Sequence, residues 1–583
     1  MVEILAGYKG QNTDIISDRF LEALSYRTEK EVDTFVDENV FFACTGESCF
    51  EGDIKVGFNG RLNKEIDDSA KHIKDLYKKK GSGFLEQLNG SFRVSIYDSK
   101  KSELIIATDK IGSKNIFYSD IDEEFSFSSH MTVLLSNPEL SCELNETTAK
   151  YFMISRTAAL NQRTLIKDIQ KMLAAKVLKL SENKLSTERY WDMYDVEKLN
   201  ISDEELTDKI RSNLIDAVDK SIANADEINI FLSGDLDSNL ITAMVKDQTE
   251  KPINTITFGR RPENFEDAKK VADHLDVNHK KVYLPEKEVT PSEVWKLEEP
   301  RIDGFLTFTN YFREEHNINE AFYGFFTETL FPDIYQKVRN LDRLKRFSPV
   351  LNIINNLNLD KILDRKLELR IRAGLNVINS TENSSIEIYT EKVPGIDASE
   401  WLPGKNGKEL EKELCKEVDE RWNLDNQSYY SNFEYLMMTE FLAPQRATCW
   451  NSIHAYAPYG HPELVMLGRK IPFEQKKNRK FQKLIAEDYL PESAIDKPSS
   501  GADWMVDEII RPLFKKNMAD YKNSIESLIE RGLINEELAR DELMKSNIDT
   551  LNRSLVICML KMWILENWMK AYIDRNEPWK PVD

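Results

Sequence analysis

The sequence predicts two parts: a β-rich α+β domain to about Trp191, then an α/β domain on a parallel sheet that turns mostly helical from about Asn310. Three stretches carry that prediction. Residues 92–97 (FRVSIY) and 104–107 (LIIA) alternate as short strands do. Residues 228–245 (INIFLSGDLDSNLITAMV) run from an apolar strand through a small polar turn into an apolar helix. Residues 253–258 (INTITF) repeat the strand ahead of a helix over 265–275, and strands alternating with helices imply βαβ units.

The remaining elements follow in order. Ile116-Phe117-Tyr118 and residues 125–128 (FSFS) fall at hairpin spacing, and 69–80 and 147–155 read as helices covering the strands. A polar connection over 192–203 leads to a helix over 204–224, whose Leu206, Ile210, Leu214, Ala217 and Ile222 mark one apolar face. A third strand is expected over 281–284. Residues 379–407, rich in Ser, Thr, Glu and Gly, are expected to be a mobile surface segment. Trp504, Trp563 and Trp568 are expected to pack between helices. Residues 554–573 are interrupted by Lys561, Glu566 and Lys570, which predicts an amphipathic helix and not a membrane span.

Composition narrows the function classes. At 583 residues, 41% hydrophobic and 31% charged, the chain can bury several cores. A net charge of −21 argues against nucleic acid or an anionic membrane as partner. The start, MVEILAGYKG, lacks a signal-peptide pattern, so a cytoplasmic protein is expected. Cys44, Cys49, Cys142, Cys415, Cys449 and Cys558 have no metal-ligand spacing. They read as buried free thiols, with a Cys44–Cys49 bridge as the less favoured alternative.

The bend at Ser233-Gly234-Asp235-Leu236-Asp237-Ser238 is the chemical focus. A strand breaking through such a turn into a helix aims backbone N–H groups and a positive helix end at one point, a seat for phosphate. Ser233 and Ser238 offer hydroxyls, and Asp237 offers a ligand to magnesium carried by a nucleotide. A tight strand-to-helix turn with an ordinary Asp or Ser cap fits the same residues, and both readings stay open on this stretch alone.

Beyond the bend, several segments resemble the asparagine synthetase family: SGDLDS against its SGGLDS, LNGSFRVSIYD (88–98), ATDKIGSKNIFY (107–118), FSFSSH (125–130) and TLIKDIQKM (164–172). The stretch 255–282, Glu298-Glu299-Pro300, residues 458–472, YLPESAIDKP (489–498) and the closing LENWMKAYI fall in the family's order too. The resemblance implies an Ntn-hydrolase-like glutaminase-type β sandwich over residues 1–195. An N-type ATP pyrophosphatase-like synthetase domain with a helical C-terminal part would follow over 200–583.

What the family implies then attaches to particular residues. Ser233, Gly234, Leu236, Asp237 and Ser238 would grip pyrophosphate and Mg²⁺, while Leu232 and Phe258 would contact the adenosine of ATP. Lys497 takes the position of the lysine that stabilises the pentavalent phosphorus. Arg446 keeps a family arginine near the nucleotide, and Arg479 and Lys483 exchange a family Lys and Arg. The departures are as informative. Asp235 replaces a glycine and adds a carboxylate near the phosphates. GFFTETLF (324–331) stands for GxGxDELF, so Glu328 falls on a metal-binding Asp, and Phe325 and Phe326 crowd the substrate edge. His454 stands for a Glu and offers a base of near-neutral pKa.

The family's glutaminase needs an N-terminal cysteine; Met1-Val2-Glu3 supplies none, so glutamine hydrolysis is expected to be absent and Asn59-Gly60 to be a remnant of the glutamine site. The expectation is an ATP-dependent ligase forming AMP and pyrophosphate. Its substrate would be a small-molecule or peptide carboxylate bringing its own amine, with a homodimer possible. A catalytically degenerate scaffold and ammonia-dependent asparagine synthesis are the alternatives.

Overall fold

The computed structural model describes residues 4–28, 30–62, 66–110, 112, 114–154, 162–191, 196–223, 225–259, 265–284, 298–300, 306–324, 326–327, 330–331, 401–403, 453–472, 475–496, 506–545, 547–549, 551 and 553–574. The first part contains β1 (Leu5–Lys9), α1 (Thr13–Ser25), β2 (Asp33–Asp37), β3 (Val40–Cys44), β4 (Glu47–Cys49), β5 (Ile54–Leu62), α2 (Ser69–Lys80), β6 (Gly90–Asp98) and β7 (Glu103–Thr108). It continues with β8 (Phe117–Ile121), β9 (Glu124–Ser128), α3 (Met131–Leu134), α4 (Glu146–Ile154), β10 (Gln170–Lys171), β11 (Lys176–Ser181) and β12 (Lys184–Arg189).

These strands make two six-stranded antiparallel sheets, ordered β10-β8-β9-β1-β3-β2 and β12-β11-β7-β6-β5-β4. Alternation along each strand divides the core. Leu5, Phe42 and Phe127 meet Tyr97, Leu104 and Ile106 between the sheets. Ala6, Tyr8 and Phe41 point the other way, onto Phe20 and Leu24 of α1. Val56, Phe58 and Val94 meet Ala70, Ile73 and Tyr77 of α2 on the far side. The layers therefore run helix, sheet, sheet, helix.

The second part holds α5 (Asp203–Ala223), β13 (Ile228–Phe231), α6 (Leu236–Gln248), β14 (Ile253–Gly259), α7 (Glu266–His274), β15 (Asn278–Tyr283), α8 (Leu306–His316), β16 (Glu320–Phe322) and β17 (His454–Tyr456). After them come α9 (Pro462–Lys470), α10 (Lys480–Ala486), α11 (Glu492–Ile495), α12 (Arg511–Lys516), α13 (Met518–Glu530), α14 (Glu536–Ala539) and α15 (Arg553–Tyr572). The five strands are parallel and ordered β15-β14-β13-β16-β17. Succession reverses at β13, which puts a crevice beyond its C-terminal end and that of β16.

Three expectations change. β16 and β17 interrupt the region expected to be mostly helical; each is three residues long and too short to show a period. Within 379–407, Trp401 and Leu402 are buried in a hydrophobic cluster, so that piece is core and not loose surface. In α15 both Lys561 and Glu566 are fully buried, so the helix is enclosed on nearly all sides instead of amphipathic. Glu566 is tolerated there because Ser527 Oγ donates to it at 2.8 Å and Arg531 Nε at 3.1 Å. Trp563 and Trp568 are buried as expected, while Trp504 lies outside the described residues. Cys44 and Cys558 are buried free thiols; Cys49 and Cys142 are free but half-buried, so the Cys44–Cys49 bridge is not made.

The two parts are welded rather than merely adjacent. Tyr8, Phe20, Phe152 and Ile166 share one hydrophobic cluster with Phe514, Ile525, Trp563, Trp568 and Tyr572. Beside it, Arg27 Nη2 pairs with Glu298 Oε1 at 2.9 Å, and the Met131 N–H donates to Glu298 Oε2 at 2.6 Å. Lys171 Nζ donates to both oxygens of Glu299 at 3.0 Å, with both side chains buried. Among the described residues, no helix is long and apolar enough to cross a membrane.

Candidate active site

β13 is buried along its length, and its chain must turn sharply where α6 begins. Gly234 makes the turn at φ +84°, and a Cβ there would come within 2.8 Å of the Ala268 nitrogen on α7. Gly324, just after β16, lies against the first turn of α6; its Cβ would meet the Ser238 nitrogen at 2.7 Å. The loops leaving β13 and β16 thus touch across the crevice with no side chain between them.

Hydroxyls stitch the bend. Ser238 Oγ accepts from the Ser233 N–H at 3.1 Å, lies 3.0 Å from Ser233 Oγ and donates to the Asp235 carbonyl at 3.2 Å. Asn239 Nδ2 donates to the Gly234 carbonyl at 3.0 Å. Asp235 precedes α6 at φ −84°, ψ 155°, an extended conformation open to any residue, and its side chain makes no capping hydrogen bond. Losing the family's second glycine therefore costs no backbone strain, and the Asp235 carboxylate is not the cap of α6.

Asp237 sits in the first turn of α6. Its Oδ1 accepts from Gln482 Nε2 at 2.7 Å and pairs with Arg479 Nη1 at 3.1 Å. Tyr459 Oη, fully buried, donates to the Asp237 backbone carbonyl at 3.2 Å. Burial pushes the Asp237 carboxyl above its ordinary pKa, with Asp235 adding to the rise and Arg479, Gln482 and Thr327 opposing it. Asn478 and Arg479 take φ +55° in succession, a left-handed step that strains non-glycine residues. Phe326 is strained as well, at φ +75°, with its ring against Gly460.

The structure thus brings Ser233, Gly234, Leu236, Asp237 and Ser238 together at one crevice. Leu232 is buried, and its carbonyl accepts from Thr257 Oγ1. Phe258 is half-buried, with its ring centroid 5.8 Å from Phe231 and 5.3 Å from Phe312. His454 lies on β17 beside Glu320 of β16. Lys497, Arg446 and Glu328 fall outside the described residues. Lys483 pairs with Asp496. Gln482 and Tyr459 join the site with no sequence signal beyond position, and Arg479 was marked only through the resemblance. A magnesium ion fits poorly at Asp237 as it stands, since a guanidinium and an amide already hold Oδ1.

A hydroxyl-lined bend at the switch point of a parallel sheet, packed against a two-sheet sandwich, defines the class: an α/β domain with a crevice at its strand ends, joined to an antiparallel β-sandwich domain. Family comparison narrows this. Residues 209–565 match the asparagine synthase model and 67–191 the glutamine amidotransferase domain model. The chain belongs to the asparagine synthase family. Similar proteins include asparagine synthetase (glutamine-hydrolyzing) 2 of Bacillus subtilis strain 168, 27% identical over 37% of this chain and 34% of that one. Asparagine synthetase (glutamine-hydrolyzing) 3 of the same strain is 30% identical over 30% and 29%. A putative asparagine synthetase (glutamine-hydrolyzing) 2 of Methanocaldococcus jannaschii is 23% identical over 50% and 59%. The matched stretches thus span between 29% and 59% of these relatives' own length.

Proposed function

We propose that this chain is an ATP-dependent amide ligase, forming AMP and pyrophosphate, that works without hydrolysing glutamine. The bend leaving β13 carries the reading: two serine hydroxyls and a helix N-terminus gather at the C-terminal edge of a parallel sheet, where phosphate is held. An oxygen of the substrate carboxylate attacks the α-phosphorus, the bond to the bridging oxygen breaks, and pyrophosphate leaves. An amine then attacks the acyl carbon and loses a proton, and AMP departs to leave an amide. The chain's own work is positioning and charge compensation. By resemblance Lys497 faces the leaving pyrophosphate and His454 takes the amine proton. The family implies Mg²⁺ with the nucleotide, and Asp237, whose Oδ1 already meets Arg479 and Gln482, is the residue that would hold such an ion.

Independence from glutamine is supported inside the sandwich. Burial pushes the Cys44 thiol up to about 11, and its Sγ is 3.6 Å from the carbonyls of Glu47 and Phe58. A thiol so held is no nucleophile for an amide. The amine is then taken from the acyl substrate itself, a small molecule or a peptide. Phe326, crowded against Gly460, favours a substrate larger and less polar than aspartate.

A second reading, a catalytically degenerate scaffold, is favoured by the Asp237–Arg479 pair, which already occupies the Asp237 carboxylate. Carboxylate-dependent exchange of labelled pyrophosphate into ATP separates the two. The ligase gives exchange with a carboxylate that bears its own amine and releases no ammonia from glutamine. Absence of nucleotide binding at millimolar ATP leaves the scaffold, and exchange with aspartate and free ammonia turns the reading to asparagine synthesis.

A further inference from the structure

We infer that Glu298 and Glu299 are positioning residues: through them the sandwich holds α8, and α8 holds the aromatic wall at the strand ends beside the crevice. The inference goes beyond the ligase reading, and only its nucleotide measurement rests on that reading.

The two carboxylates enter neighbouring sockets on the sandwich. Glu298 Oε1 pairs with Arg27 Nη2 at 2.9 Å, and its Oε2 accepts at 2.6 Å from the N–H of Met131, the first residue of α3. Glu299 accepts from Lys171 Nζ of β10 on both oxygens at 3.0 Å. Arg27 is itself held by Thr132, whose Oγ1 accepts from Nε at 3.1 Å and from Nη2 at 2.6 Å. None of the four charged side chains is more than 10% exposed. A buried ion pair adds little stability over an apolar pair of the same shape, but it resists sliding. A slip of one residue would set Pro300 against Lys171 and strand a buried ammonium.

From this fixed register the chain enters α8. Leu306, its first residue, is six positions past Pro300, at most about 20 Å of extended chain. Phe312 of α8 is fully buried, with its ring centroid 5.0 Å from Phe231 and 5.3 Å from Phe258. Phe231 closes β13, and Phe258 stands one residue from the end of β14. Tyr323, just after β16, lies 5.0 Å from Phe231. One ring of α8 thus touches the C-terminal ends of two adjacent strands, and Phe231 is two residues from Ser233 of the bend. Close packing passes a shift of α8 to that wall.

The test replaces the Lys171–Glu299 pair in the full chain by Lys171→Met with Glu299→Met, which restores packing without the charge register. Amide hydrogen exchange of α8 is read against that of α2, on the far side of the sandwich, and ATP with Mg²⁺ is titrated by calorimetry. The expected result is a melting temperature close to that of the wild type and exchange in α8 faster by about 10-fold or more, with α2 unchanged. ATP is expected to bind about 3-fold or more weakly. Unchanged exchange in α8, equal acceleration in α8 and α2, or a loosened α8 with full ATP affinity overturns the inference and leaves the ligase reading standing. Should the double variant not fold, native-state exchange in the unaltered chain decides. Amides of α8 and of β8, the neighbour of β10, opening in one step support the inference; α8 opening well before β8 overturns it. A wild type that binds no ATP overturns the ligase reading, and the exchange of α8 alone then decides the inference.

Discussion

The sandwich and the parallel-sheet crevice both gather buried polar side chains, yet they use them in opposite ways. In the sandwich, Arg93 Nε donates to Asn59 Oδ1 at 3.1 Å and Nη1 to the Asn115 carbonyl at 3.0 Å, while Asn59 Nδ2 lies 3.5 Å from Cys44 Sγ. Those groups close on one another and on the backbone of the sheets. At the crevice, Asp237, Arg479, Ser233 and Ser238 meet at a loop where two strands end, and part of each charged side chain stays in reach of solvent. A satisfied network in a closed sheet reads as structure; one at the mouth of a switch point reads as a site.

The comparison breaks first where the two regions are joined. Trp568→Ala removes a fully buried ring stacked on Tyr572 at 4.5 Å, and is expected to cost about 3–5 kcal/mol. Calorimetry should show one transition moved down, because the cluster belongs to both parts; two separate transitions would mean the weld is weaker than its packing. Next, Arg93→Met strips partners from Asn59 and the Asn115 carbonyl, for about 1–3 kcal/mol by denaturant titration. Pyrophosphate exchange should be unchanged, and a loss of exchange would give the closed network a functional part.

Ser238→Ala sharpens the other side. Its hydroxyl serves Ser233 and Asp235, so stability falls by only about 1 kcal/mol, while exchange falls by a larger factor than that loss explains. Equal losses would make the bend a plain turn. The finest signal is a slope. Lys476 is buried, donates to the Gly468 carbonyl at 2.8 Å, and burial lowers its pKa from 10.5 to about 7, with Arg469 adding to the drop. Between those values the unfolded chain binds the extra proton, so this residue's contribution to stability rises with pH from about 7 toward 10.5. Melting temperatures across pH 7 to 9 should climb more in the wild type than in Lys476→Met. Parallel slopes would refute the shift, and a true slope shows that the second part also has closed polar groups away from its strand ends.

Local chemistry made some elements legible. α2 was legible over 69–80, and the structure supplies the cap that starts it: Asp68 Oδ1 accepts from the Lys71 N–H at 2.8 Å. β14 and α7 followed from an apolar run before an amphipathic one, and the bend from its small polar residues. β1 was not legible: LAGYK is buried on both faces, so no alternation marks it. β16 and β17 pair across more than 100 intervening positions, a contact with no local trace. α15 misled because Lys561 and Glu566 are buried, Glu566 against Ser527 and Arg531, while only Lys570 is exposed as expected. At the site, SGDLDS was plain, but Asp237 finds Arg479 at a separation of 242 residues, and only a folded chain reveals which cation answers that carboxylate.

Since α15 comes from far along the chain yet shares a core with Tyr8, Phe20 and Phe152, the amino-terminal half is not simply removable. Deleting it would lay bare Trp563, Trp568 and Tyr572 and invite aggregation. A domain is kept for its surface as well as for any reaction when its neighbour uses it as a wall.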